Sequence, residues 1–208
     1  RGKWLAAATA VVGFFVLFLG VANAQSFRTG LSTTVGPNET VNKSLWAAGN
    51  NVDIAGTVNG DVFCAGQTVT VSGTINGDVL CAAQTIDITG TVNGDVRVAG
   101  QTINLNGAVT GSVSAAGQSL SQSGKATVGR DAAFAGNEVT LNGSIERDLS
   151  FAGAITHLNG TIKRDVNGQI QDLYVGSNSR IGGNLQYTSL KDAVIDSGAV
   201  ITGSNHRT

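Results

Sequence analysis

The sequence predicts an all-β chain wound as a single-stranded parallel β-helix, a β-solenoid, and three observations carry that prediction. First, "TVNGDVFCAGQTVTVSG" (57–73) is followed without a break by "TINGDVLCAAQTIDITG" (74–90) and "TVNGDVRVAGQTINLNG" (91–107). Second, the apolar residues recur at fixed places. Val58, Val62, Cys64, Val69 and Val71 return as Ile75, Val79, Cys81, Ile86 and Ile88, then as Val92, Val96, Val98, Ile103 and Leu105. Third, the chain is rich in Gly (29) with a single Pro, and its short β-branched runs are punctuated by Gly, Asn and Asp, as in strands joined by tight turns. At 41% hydrophobic it is too apolar for a disordered chain.

Apolar residues two apart mark a strand whose alternate side chains face inward. Three such sides per repeat make three short strands per rung, with Gly or Asn-Gly at the corners. Seventeen residues at roughly 3.3 Å each give a perimeter of about 55 Å, a triangle whose bore one layer of Val, Ile and Leu fills. Successive coils lie about 4.8 Å apart and pair as parallel strands, so each position repeats because it stacks on its own copy.

The frame extends back to Val41, Leu45, Ala47, Val52 and Ile54, and forward to a weaker unit at Val109, Val113, Ala115, Leu120 and Gln122. Two residues are inserted in "SGKAT" (123–127). The frame then resumes at Val128, Ala132, Phe134, Val139 and Leu141, continues through Ile145 to Leu158, and reads Ile162, Val166, Gly168, Leu173 and Val175 before a second insertion in "GSNSR" (176–180). Both insertions fall on one corner, as a stack of loops tolerates. About nine rungs are expected over 41–208, the last incomplete, in a rod about 45 Å long.

The first residues form a separate unit. Arg1 and Lys3 precede an apolar run from Leu5 to Val21, and "ANA" (22–24) places small residues before Gln25. This is the pattern of a secretory signal, with an uncleaved membrane anchor through residues 5–21 as the alternative. Residues 1–24 are therefore set apart, 25–40 are expected as a linker or N-terminal cap carrying Phe27, Leu31 and Val35, and 41–208 as the solenoid. The lack of an initiator Met and the ending "NHRT" lead us to expect a longer protein. The formal net charge of −1 becomes about −3 without Arg1 and Lys3, which argues against a nucleic-acid partner, whose phosphates call for a basic face.

The NGDV-x-x-AGQT rung, repeated from about residue 41, resembles the bactofilin family of bacterial polymer-forming cytoskeletal proteins, and more closely its exported members with a signal or anchor before the rungs. The resemblance implies a right-handed triangular β-helix that polymerises end to end without nucleotide or other cofactor and has no active site. The segment 5–21 departs from the cytoplasmic pattern and shifts the expectation to an extracytoplasmic scaffold in the cell envelope. The expected partner is the chain itself, as a homopolymer, with the membrane and cell-wall polysaccharide as further candidates. Self-association is expected through terminal rungs, at Val41 and Leu45 at one end and Val194 and Ile201 at the other, by main-chain hydrogen bonds and apolar stacking.

Four features bear on chemistry. Asp61, Asp78, Asp95, Asp131, Asp148 and Asp165 form a ladder. It is read as turn chemistry, each Asp bonding its own local backbone, rather than as a calcium site, and Arg130, Arg147 and Arg164 beside it offset the repulsion. Cys64 and Cys81 face the core on adjacent rungs, where buried free thiols are favoured over a disulfide because stacked side chains point in parallel. Trp46, Phe63 and Leu80 line up on an outward column before Arg97 and Ser114. Such a column needs a cover, for which residues 25–40 are the first candidate, or a partner; a surface adhesin or carbohydrate binder using it is the alternative function. Asn and Gln at 50, 67, 84, 101, 118 and 137 form a side-chain ladder. No enzyme or metal site is expected, since His157 stands alone, His206 lies in the tail, and the longest corner gains only two residues, too few to wall a cleft.

Overall fold

The computed structural model describes residues 25–208, and the expectations for residues 1–24, including a signal or a membrane contact through 5–21, lie outside them. In chain order the strands are β1 (Gln25–Val35), β2 (Thr40–Val41), β3 (Ser44–Ile54), β4 (Thr57–Val58), β5 (Val62–Val71) and β6 (Thr74–Ile75). There follow β7 (Val79–Ile88), β8 (Thr91–Val92), β9 (Val96–Leu105), β10 (Ala108–Val109), β11 (Val113–Gln122), β12 (Thr127–Val128), β13 (Ala132–Leu141) and β14 (Ser144–Ile145). The last are β15 (Leu149–Leu158), β16 (Thr161–Ile162), β17 (Val166–Val175), β18 (Arg180–Ile181), β19 (Leu185–Thr188), β20 (Val194–Ile195), β21 (Val200–Ile201) and β22 (Asn205–Arg207). All pairing is parallel, and no helix occurs among the described residues. The long strands stack from β1 to β22 and the short ones from β2 to β21, making a β-solenoid of about 11 turns.

Each rung holds two strand elements rather than three. The inward offsets explain this. Within β5, Val62 and Cys64 are buried and so are Val69 and Val71, whereas Gln67 between them is exposed. Val69 lies five positions after Cys64, an odd step, so the alternation must change phase. The chain does so by bending at Gly66–Gln67, where Gln67 drops out of the ladder and pairing resumes at Thr68. Two sides of the triangle are thus one bent strand, and the third is the two-residue element.

Register follows the repeat. Val58 pairs with Ile75, and Ile75 with Val92, in single file. All three are fully buried. The two insertions read from the sequence fall at one corner: Val109 pairs with Val128 and Ile162 with Ile181, two residues beyond the usual step of 17. At each wide corner a β-turn closes, Ala126 N–H donating to Ser123 at 3.0 Å and Ser179 to Gly176 at 2.9 Å. At the tight version of that corner, glycine is required by proximity rather than by φ. No described residue has positive φ, but a Cβ on Gly90 would lie 2.0 Å from the Gly73 carbonyl oxygen.

Two expectations change. Residues 25–40 are not a loop laid across the stack but a further rung, with Phe27 paired to Trp46 and Val35 to Ile54. Its corner, "GPNET", is another wide one, closed by Glu39 N–H to Gly36 at 2.9 Å. That extra width hides the frame from a strict seventeen-residue step. Second, Cys64 and Cys81 are joined by a disulfide, their Cα atoms 4.5 Å apart. In-register stacking brings the two backbones within bridging range, at its short end, and the thiols are not free.

Candidate interaction surfaces

The side formed by the first half of each long strand is apolar on its outside as well as its inside. Its outward column is Phe27, Trp46, Phe63, Leu80, Arg97, Ser114, Ala133 and Ser150, each paired to the next across the ladder. Two residues on along each strand runs a second column of seven alanines, Ala48, Ala65, Ala82, Ala99, Ala116, Ala135 and Ala152. Because alanine is short, the inward Cys64, Val98, Phe134 and Phe151 form the floor between the columns, and together they line a shallow groove of about 1270 Å³.

The aromatic column does not receive a cover from residues 25–40. They lengthen it. Phe27 is 54% exposed and stacks on Trp46 with ring centroids 6.0 Å apart. Trp46 stacks on Phe63 at 4.3 Å, with planes 15° apart. Leu80, 49% exposed, ends the ridge. The ring faces of Trp46 and Phe63 are turned toward each other, so their edges, not their faces, point outward. Arg97 then donates to Asp95 at 2.8 Å and Asp78 at 3.3 Å, an outward pair of bonds that the sequence reading did not anticipate.

The two ends are built differently from the middle. At the N-terminal end β1 covers β3, so Leu45 is fully buried under Ser26 and cannot be an end contact. Val41 is also buried as a side chain, but β2 is the outermost short strand, so only its backbone edge is free among the described residues. The inward position above Ala47 is Arg28. Its guanidinium bonds both Glu39 carboxylate oxygens and the Thr34 carbonyl. The hydrogen bond to Glu39 holds the Arg28 guanidinium above its ordinary value. The same bond, helped by the Gly36 N–H, holds the Glu39 carboxyl below its own. This pair closes the core.

At the other end Arg207 takes the same inward offset, paired to Tyr187, and its Nε lies 3.1 Å from Asp192. That closure is looser. Ile195, Val194 and Val200 are exposed beside it, Leu190 wholly so, and Ile201 packs against the core only in part. Val194 pairs with the outward Tyr174, so its side chain lies on the flank rather than on the end. The loop before it is held by Lys191, whose Nζ donates to Asp172 at 2.6 Å, a bond that raises the lysine above its ordinary value.

The aspartate ladder is turn chemistry of another kind from that expected. Asp61 Oδ1 accepts the N–H of Asp78 at 2.9 Å, Asp78 that of Asp95 at 2.8 Å, and Asp148 that of Asp165 at 3.1 Å. The carboxylate caps the backbone one rung on instead of its own. Arg147 and Arg164 reach back to Asp131 and Asp148 at 3.3 and 3.4 Å. Among the described residues no three His, Cys, Asp or Glu side chains converge as metal ligands. The glutamine ladder forms over Gln67, Gln84, Gln101 and Gln118. A second, unanticipated ladder links Asn42, Asn59, Asn76 and Asn93 at 2.7 to 2.8 Å. His157 stacks on Tyr174 at 4.8 Å, while His206 sits on the last rung on the groove side, in the Phe27 column. No protein-family model, curated protein or solved structure matches the chain.

Proposed function

We propose that this chain is a structural, self-associating scaffold of the bacterial envelope, held on the extracytoplasmic side by its N-terminal segment and without catalytic activity. One observation carries the reading. An uninterrupted in-register ladder ends, among the described residues, in strand edges at both β1/β2 and β21/β22, and parallel edges are templates for a further strand. The two ends are different surfaces, so their contact is heterologous and propagates as a filament rather than closing as a dimer. The resemblance of the rung to the bactofilin consensus supports the same reading.

The bonding differs from apolar stacking. Each end presents one arginine and one carboxylate inside a rim of main-chain donors and acceptors, so facing ends hydrogen-bond round the rim and exchange ion-pair partners across the joint. Electron microscopy of the purified full chain tests this: filaments at micromolar concentration are expected, and Ile201→Asp should shorten them while the circular dichroism stays that of a β protein. Monomers persisting at tens of micromolar would overturn the reading. The alternative, an adhesin or carbohydrate binder on Trp46, Phe63 and Leu80, draws on the exposed ridge but is weaker, because a sugar stacks on an open ring face and these rings spend their faces on one another.

A further inference from the structure

We infer that the groove is a lateral self-association surface, on which a second copy of the chain packs face to face with its axis antiparallel. The argument is the distribution of side-chain size along the two columns. The alanine column is centred on Ala99, with three alanines on either side. Ala99 shares its rung with Arg97, and about that rung the outward column is asymmetric. On one side are Leu80, Phe63 and Trp46; on the other are Ser114, Ala133 and Ser150. A twofold axis lying along the Arg97–Ala99 strand sets Leu80 over Ser114, Phe63 over Ala133 and Trp46 over Ser150, while alanine meets alanine. Leu80, Phe63 and Trp46 of each copy then enter the trough of the other, while Phe27 falls over Asn167 beyond it; this is the self-complementarity an isologous contact requires.

Parallel packing does worse. It keeps all the bulk at one end, so the two sheets splay and the small-residue half stays open. The axis sets Arg97 against its own copy, and the pairing of each Arg97 with its own Asp78 and Asp95 offsets that repulsion. Seven rungs by one triangle side is roughly 34 Å by 15 Å, about 1,000 Å² over both copies, the lower bound for a specific interface. This inference extends the self-association proposed above but uses a different face, so either can fail alone.

Cysteine cross-linking in intact cells expressing the full chain decides it. Ala99→Cys, on the axis, is expected to link to a second copy on oxidation. Ala48→Cys and Ala152→Cys are expected to link only when the two variants are co-expressed. Asn93→Cys, on the asparagine ladder of another side, is the background. Ala133→Trp, which fills the trough at an exposed position, should abolish the Ala99→Cys link and leave any filaments intact. Ala99→Cys linking no more than Asn93→Cys would overturn the proposal, because another occupant or none then covers the groove. Ala48→Cys linking to itself would overturn the antiparallel arrangement in favour of a parallel one.

Discussion

Among the described residues, the first and last rungs of the solenoid carry the same device with unequal firmness. Arg28 and Arg207 occupy one inward offset, where the rungs between them place Ala47, Cys64, Cys81, Val98, Ala115, Phe134, Phe151, Gly168 and Tyr187. Arg28 is half-buried and shared among a carboxylate and a carbonyl, on a strand of eleven residues. Arg207 faces an Asp192 that is 85% exposed, on a rung of three. One charged side chain at an inward position, given a counter-charge across the end, removes the apolar surface on which another core would stack.

The largest test separates both ends from the middle. Gly90→Ala drives a Cβ into the Gly73 carbonyl and is expected to cost more than about 3 kcal/mol, since backbone has no room to yield in a close-packed corner. Because each rung contacts only its neighbours, amides on the two sides should then lose protection from hydrogen exchange independently. Uniform loss would mean that the ends are coupled, and the comparison between them would collapse.

Next comes the disulfide. Replacing Cys64 and Cys81 with Ala removes a clip that closes a loop of 17 residues and should lower stability by about 3 kcal/mol on a chain-entropy account. The loss, read by urea denaturation, should fall mainly on the N-terminal half and bring its stability toward that of the C-terminal half. Arg28→Ala is expected to lower protection of the β1 amides by about tenfold, the scale of a lost charge-assisted bond. Arg207→Ala, at an exposed pair, should change stability by less than about 0.5 kcal/mol. Equal effects would refute the claim that one end is closed more firmly.

The smallest effects are those of pH, and they have opposite signs. Glu39 is held below its ordinary 4.5 by its bonds in the fold, so its contribution is complete above pH 4.5 and is lost as pH falls through the folded value. Lys191 is held above its ordinary 10.5, so its contribution is complete below pH 10.5 and is lost as pH rises through the folded value. Acid should therefore loosen the N-terminal end and alkali the C-terminal loop. Methyl resonances of Val35 and Leu190 report the two separately.

Much of this was legible because a solenoid converts sequence period directly into contact. Val58, Ile75 and Val92 stack because they are one step apart, and the odd spacing between Cys64 and Val69 already encodes a corner. The asparagine ladder was equally visible, as Asn42, Asn59, Asn76 and Asn93 obey the same step. What was missed lay where the step changes. The wide corner at "GPNET" put β1 out of frame, and with it went Phe27, the burial of Leu45 and the Arg28–Glu39 closure. The likeness of "GPNET" to "SGKAT" and "GSNSR" is the signal that recovers them.

By itself, then, the sequence determined the rung, its register and the alternation of core and surface, because each of these is a local rule repeated at a fixed interval. Only the tertiary structure decided the disulfide, the partner of each aspartate and the closure of the two ends. Those depend on which atoms of neighbouring coils come within bonding distance, and at Arg28 with Glu39 or Arg207 with Asp192 the partners come from corner segments, outside any period that the chain repeats.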